Sequence, residues 1–161
     1  MYKYIIIDDE FLTRKGTIKK LAAVSDILQC AGEAEDGEKG LELTGKIHPD
    51  LIITDMKMPV MDGTALLPVL AEQYPEIALI VISGYQDFEY MRQAIHAKVI
   101  DYILKPFSTE EIIESVKKVI RKIEQKETET IKSKLETEHY ENSQVNYDIG
   151  IIRSIVEGHS S

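Results

Sequence analysis

Four short apolar runs in this chain end on residues that can do chemistry. Asp8, Asp9 and Glu10 follow the run Tyr4–Ile7, and Asp55 follows Leu51–Thr54. Ser83 follows Ala78–Ile82, and Lys105 follows Tyr102–Leu104. Carboxylates gathered in one pocket repel each other unless a cation joins them or one keeps its proton. Oxygen-only ligands suit a hard cation, and a few carboxylates plus waters suit Mg²⁺. A mobile ammonium at Lys105 and a hydroxyl at Ser83 complete a set fit for moving a phosphoryl group onto a carboxylate. That step needs a nucleophilic carboxylate, a metal that neutralises phosphoryl oxygens, and donors for the remaining oxygens.

Each residue also has a plainer use. Asp8-Asp9-Glu10 can cap a helix and favour its dipole. Asp55 can form a turn, Ser83-Gly84 can be a turn alone, and a solvated position is the usual fate of a lysine such as Lys105. Pro59, Asp62 and Gly63 read as structural, a rigid loop followed by a helix start. The weight against the plainer reading is coincidence, since separate strand ends would carry complementary groups by accident.

The elements that must position these groups follow from the pattern. The runs named above, with Ile27–Ala31, are brief, continuous and apolar, as strands buried on both faces of a parallel sheet must be. Five helical patterns alternate with them: Phe11, Ile18, Leu21 and Ala22; Leu41, Thr44 and Ile47; Leu66, Leu67 and Leu70; Phe88, Met91 and Ile95; and Ile112 to Ile123. The last opens at Ser108 or Thr109 with acids in its first turn. Five strands alternating with five helices predict an α/β, flavodoxin-like, doubly wound five-stranded parallel sheet of order 2-1-3-4-5. In that order strands 1 and 3 are neighbours where the winding reverses, so Asp8, Asp9 and Asp55 should converge, flanked by Ser83 and Lys105. Residues 1–125 form this domain. Residues 126–161 turn polar, with a small apolar cluster from Ile149 to Val156, and read as a linker or helical extension towards an output domain outside the chain.

The 161 residues hold one cysteine, Cys30, which excludes an intrachain disulfide and, inside an apolar run, reads as a small core residue. With 19 Lys and Arg against 28 Asp and Glu, the net charge is −9, which disfavours phosphate backbones and anionic membranes. No stretch approaches the roughly 18 apolar residues of a membrane span, and the N-terminal run ends in acids where a signal peptide would not. A cytoplasmic location is expected, with neither direct nucleic-acid binding by this chain nor membrane attachment.

The succession IIIDDE, TDMKMPVMDG, VISGY and DYILKPF resembles the receiver domain of bacterial two-component response regulators over residues 1–125. SGYQDFEYMRQAI is similar to receivers attached to AraC-type DNA-binding domains. The resemblance implies that Asp55 accepts a phosphoryl group from a partner histidine kinase. It implies Mg²⁺ held by Asp8, Asp9, Asp55 and the backbone carbonyl of Lys57. Ser83 would bond a phosphoryl oxygen, Lys105 would pair with the phosphoryl group, and the Lys105–Pro106 bond would be cis. Tyr102 would be the aromatic that changes rotamer when Ser83 moves, switching the surface of helix 4, strand 5 and helix 5. That surface would govern an output such as transcription, through a DNA-binding domain outside this chain, or a homodimer. Such a protein is a signalling receiver and no enzyme beyond its own phosphorylation and dephosphorylation. Lys57 and Tyr85 are placed to shield the phosphoryl group from water.

Two departures stand out. Lys98-Val99 replaces the Gly-Ala common before strand 5, which makes a left-handed cap costlier, and Gly40 replaces a common alanine, which should loosen helix 2. Three rival readings fit these residues less well. A flavodoxin needs a flavin-phosphate loop free of the acids found here. An aspartate-nucleophile phosphatase usually has a second Asp where this chain has Lys57. A phosphorylation-independent binding module would not need the complete acid and lysine set. No Walker-type or GxGxxG loop supports nucleotide binding.

Overall fold

The computed structural model describes the backbone of residues 1–157 and the side chains of residues 1–138. Strands β1 (Tyr2–Ile7), β2 (Leu28–Ala34), β3 (Leu51–Thr54), β4 (Ala78–Ser83) and β5 (Asp101–Leu104) alternate with helices α1 (Phe11–Leu21), α2 (Gly37–Ile47), α3 (Gly63–Gln73), α4 (Phe88–His96) and α5 (Thr109–Glu157). All strand pairs are parallel, in the order β2-β1-β3-β4-β5, so the fold is the flavodoxin-like one expected. Contacts divide the chain into two units, Met1–Ile120 and Arg121–Ser161. The apolar cluster Ile149 to Val156 lies outside the residues whose side chains are described. Among the described residues no helix is long and apolar enough to cross a membrane.

The central strands are the most apolar because both their faces are covered. β3 is buried at every residue, and β1 is buried from Tyr4 to Ile7. In register, Ile5 faces Ile52, which faces Leu79. This row, with Ile7 and Val81, packs against Leu66, Leu67 and Leu70 of α3 and Ala94 of α4. Alternation turns Ile6, Ile53 and Ile80 to the opposite face, where the doubly wound topology places α1 and α5. Ile112, Val116 and Val119 of α5 are buried accordingly. α2, α3 and α4 each start on an aspartate, Asp36, Asp62 and Asp87, whose carboxylate accepts backbone N–H groups of the first turn.

Several expectations need correction. Cys30 is exposed, because β2 is an edge strand and only its ends, Leu28 and Ala34, are buried. In α1, Phe11 is exposed and Thr17 and Leu21 are buried. The Phe11 ring instead lies under the cations of Arg14 and Lys15, at 5.5 and 5.6 Å. In α4, Phe88 and Ile95 are 80% and 72% exposed, and Tyr90, Ala94 and Ala97 meet the core. Both rows of α4 have helical spacing, so period alone does not choose between them. Gly40 does not merely loosen α2. A Cβ there would stand 2.4 Å from Cδ1 of Ile7, so the glycine lets α2 approach β1 closely.

Lys98 behaves as its position requires. It has φ 57°, its N–H donates to Ile95 O at 3.0 Å, and the Val99 N–H donates to Ala94 O at 3.1 Å. This is the paired bonding of a Schellman cap with a left-handed residue that favours glycine. Lys98→Gly should therefore stabilise the fold. The left-handed strain of about 1–2 kcal/mol is relieved, less about 0.5–1 kcal/mol for added freedom of the unfolded chain. A higher denaturant midpoint at unchanged slope is the expected readout, and a lower midpoint would contradict it.

Candidate functional site

The carboxyl ends of β1, β3, β4 and β5 open on one edge of the sheet, and parallel register sets what meets there. Ile7 pairs with Thr54, so Asp8 and Asp55 leave the sheet side by side. The Asp55 N–H donates to Ile7 O at 2.9 Å, and the Asp8 N–H to Ala34 O at 3.0 Å. Ser83 pairs with Leu104, and the Lys105 N–H donates to Ser83 O at 2.9 Å.

Lys105 Nζ stands 3.0 Å from Oδ2 of Asp8 and 3.0 Å from Oδ2 of Asp55, with Glu10 Oε1 at 3.6 Å. The other oxygens of the two aspartates accept backbone N–H groups: Asp8 Oδ1 from Glu10 at 2.9 Å, Asp55 Oδ1 from Met56 at 2.7 Å. Asp8 and Asp55 are only 3% and 5% exposed, so the ammonium is their main neutralising charge. Burial raises the Asp55 carboxyl above the usual range, and Asp8 adds to the rise; Lys105 opposes it. Burial works against the charged form of Lys105, but the carboxylates of Asp55 and Asp8 outweigh it and raise the ammonium's pKa.

Asp8, Asp9, Glu10 and Asp55 each present one carboxylate oxygen, all within 4.8 Å of one another. Asp8 and Asp55 lie inside, while Asp9 and Glu10 are exposed at the rim. This all-oxygen set, open to water on one side, fits a hard divalent cation. Glu10 was not among the metal ligands expected, although its place in the acidic run after β1 was the available signal.

A second group surrounds Ser83. Its side chain is fully buried, and Oγ accepts the Tyr85 N–H at 3.2 Å; a hydroxyl can accept that bond and still donate. Tyr102 is half-buried, and its hydroxyl donates to Tyr85 O at 2.8 Å. Its pKa is raised, first by burial and further by the charge of Asp55, with a Ser83 hydrogen bond working the other way. Lys57 is exposed. Its Nζ donates to the Tyr85 hydroxyl at 3.4 Å and lies 4.9 Å from that ring's centre.

The loop between Asp55 and α3 is held tightly. The Gly63 N–H donates to Met56 O at 2.6 Å, and a Cβ on Gly63 would lie 2.5 Å from Met56 Sδ. Between Pro59 and Met61, Val60 has φ 67° and is 75% exposed, a conformation costly for a β-branched residue. Sequence reading did not single out Val60, because nothing in its type announces a left-handed backbone. The Lys105–Pro106 bond is cis.

The chain matches the family model described as response regulator receiver domain over residues 4–117. It is 32% identical over 127 residues to the uncharacterized transcriptional regulatory protein YesN of Bacillus subtilis, covering 79% of this chain and 34% of that protein. It is 38% identical over 107 residues to the transcriptional regulatory protein HptR of Staphylococcus aureus, covering 66% of this chain and 41% of that protein. The chain thus spans about a third to two fifths of the length of these curated relatives. Among solved structures, the REC domain of AraT, a response regulator from Geobacillus stearothermophilus, superposes with a TM-score of 0.73 at 38% identity, covering 78% of this chain and 98% of that one.

Proposed function

This chain belongs to the response regulator receiver domain family, and from that premise we propose that Asp55 accepts a phosphoryl group from a phosphohistidine of a partner histidine kinase. A carboxylate oxygen of Asp55 attacks phosphorus, the P–N bond breaks, and its electron pair leaves with the imidazole. The observation that carries this reading is the Lys105 ammonium 3.0 Å from both buried carboxylates. It already offsets part of the pocket's negative charge and is within reach of oxygens added to Asp55. Asp8, Asp9, Asp55 and the Lys57 carbonyl would hold Mg²⁺, with Glu10 at its rim. When bound, the ion would offset phosphoryl charge.

Ser83 and Tyr102 then read the new charge of about −1.5 to −2. The Ser83 hydroxyl turns towards the phosphoryl group, the 83–90 segment follows, and Tyr102 moves into the space released. The surface of α4, β5 and the start of α5 changes with it. A coupling of about 1–3 kcal/mol suffices to bias homodimerisation or an output domain. A transcriptional output is in keeping with relatives named as transcriptional regulatory proteins; its being an AraC-type DNA-binding domain outside this chain, acting in the cytoplasm, is part of the proposal.

Incubation with Mg²⁺ and a small phosphodonor, followed by intact mass, tests the proposal. One phosphate should appear, on the peptide holding Asp55, and a chelator should prevent it. No gain, or a gain placed elsewhere, would refute it and favour a phosphorylation-independent binding module. Lys57 and Tyr85, hydrogen-bonded to each other just beyond the strand ends that carry Asp55 and Ser83, would keep water from the phosphoryl group. Tyr85→Ala should then release phosphate roughly fivefold faster, equal to about 1 kcal/mol of barrier. An unchanged rate removes the shield.

A further inference from the structure

We propose that Lys20, in the last turn of α1, is a positioning residue that keeps the Lys105 ammonium aimed at Asp8 and Asp55; the inference rests on the phosphoryl reading above. Lys20 Nζ donates to the carbonyl oxygen of Phe107 at 2.8 Å and lies 4.1 Å from the centre of the Phe107 ring. One side chain thus grips one residue twice, by its carbonyl and by its ring, and both contacts need the ammonium. Phe107 stands two positions beyond Lys105 and is buried.

The 105–107 segment joins β5 to α5. On the strand side the Lys105 N–H donates to Ser83 O at 2.9 Å. On the helix side the first turn of α5 is spent on Ser108: the Ile112 N–H goes to its carbonyl at 3.3 Å, and the Glu111 N–H to its Oγ at 3.1 Å. A buried carbonyl needs a donor, and Lys20 supplies one to Phe107 from 87 positions back in the chain.

α1 is a firm base for that tether. Its Thr17 and Leu21 are buried. Arg14 Nη1 donates to Asp8 O at 2.6 Å, and Arg14 Nε to Glu33 Oε1 of β2 at 2.9 Å. One helix therefore holds the residue that opens the acidic run and, through Lys20, the turn that carries the opposing cation. Helix-dipole compensation alone does not account for Lys20. Lys19 and Lys20 both stand where a cation favours the helix end, yet Lys19 is exposed while Lys20 lies on Phe107. The chemical consequence is placement. The four-carbon stem of Lys105 is flexible, and its ammonium acts on phosphoryl oxygens only where it is held. Ties on both sides of Lys105 narrow the positions its Nζ can reach.

Two measurements on the full chain test this: phosphoryl uptake from a small phosphodonor with Mg²⁺, read by intact mass, and Mg²⁺ binding by calorimetry. Lys20→Met keeps the stem and removes both contacts. Its uptake at saturating donor should fall roughly tenfold, within the hundredfold that about 1 Å of misplacement can cost. Lys19→Met removes the same charge from the same turn and should leave uptake unchanged. Lys20→Arg can still donate to the carbonyl and stack on the ring, and should stay within about threefold of the wild type. Mg²⁺ should bind Lys20→Met as tightly as the wild type or more tightly. The Lys105 ammonium, 3.0 Å from both carboxylates, competes with the ion for the same oxygens, whereas general damage to the pocket would weaken binding. Wild-type uptake by Lys20→Met, an equal loss in Lys19→Met, no retention by Lys20→Arg, or weaker Mg²⁺ binding in Lys20→Met would each overturn the positioning role and leave Asp55 as acceptor. A wild type that gains no phosphate, or gains it away from Asp55, would refute the phosphoryl reading and this inference with it.

Discussion

Asp55→Asn should give a folded chain that takes up no phosphoryl group, whatever the excess of Mg²⁺ and phosphodonor. The amide keeps the shape of the carboxyl. Its oxygen can still accept from the Met56 N–H or from Lys105, now at 2.7 and 3.0 Å. What it lacks is the anionic oxygen that attacks phosphorus. The fold should not suffer. The Asp55 carboxyl has its pKa raised, with burial as the main cause. The folded state therefore binds that proton more tightly than the unfolded chain does, and ionisation near neutral pH works against folding. Removing the charge removes that cost, but it also removes one of the two carboxylates that raise the Lys105 ammonium's pKa, so the two effects oppose each other. Without added divalent ion, the variant should melt within a few degrees of the wild type, about 1 kcal/mol either way. Intact mass and a thermal melt on one preparation check both halves. Uptake by Asp55→Asn at the wild-type rate would place the acceptor elsewhere.

Among the described glycines, Gly37→Ala should be the most damaging conservative change. A Cβ on Gly37 would lie 2.2 Å from the carbonyl oxygen of Met61, and the Gly37 N–H donates to that oxygen at 3.1 Å. The obstacle is backbone. Neither side can yield easily: the first turn of α2 is tied by Asp36, and the 56–63 loop by the Met56–Gly63 bond. Overpacking and a strained or lost hydrogen bond together cost about 3 kcal/mol, or roughly 10 °C in melting temperature for a domain of this size. Because that loop leads out of Asp55, phosphoryl uptake should slow as well. Gly16→Ala is the contrasting change. Nothing lies within 4 Å of its would-be Cβ, and alanine favours the helix interior by about 0.5–1 kcal/mol. Should Gly37→Ala melt within about 2 °C of the wild type, the claim of a rigid α2–loop contact fails.

The site was legible in the residues to an unusual degree because a parallel sheet converts chain order into geometry. Once the runs ending at Ile7, Thr54, Ile82 and Leu104 read as adjacent strands, the groups just after them had to share one edge. Asp8, Asp55 and Lys105 do meet there, in direct contact. The helix faces were less legible. In α4 the row Phe88 and Ile95 has the same spacing as Tyr90, Ala94 and Ala97, and the more apolar row faces outwards. Hydrophobicity ranks rows; it does not say which one the sheet covers. The chosen face depends on where α4 crosses β4 and β5, and that leaves an apolar surface free.

Cys30 and Val60 show the same division from the other side. A cysteine between apolar neighbours resembles a core residue until its strand proves to lie at the edge of the sheet. A valine in a loop gives no sign of φ 67° until the chain must turn between Pro59 and Met61. The residues alone determined the strand count, the winding order and the identity of the groups at the acidic edge, because periodicity and chain connectivity are local properties. Tertiary structure alone decided which helix rows are covered, that Lys105 bridges Asp8 and Asp55, and that Gly37, Gly40 and Gly63 stand against neighbouring backbone or side chains. Those outcomes depend on distances between segments far apart in the chain, which no local pattern records.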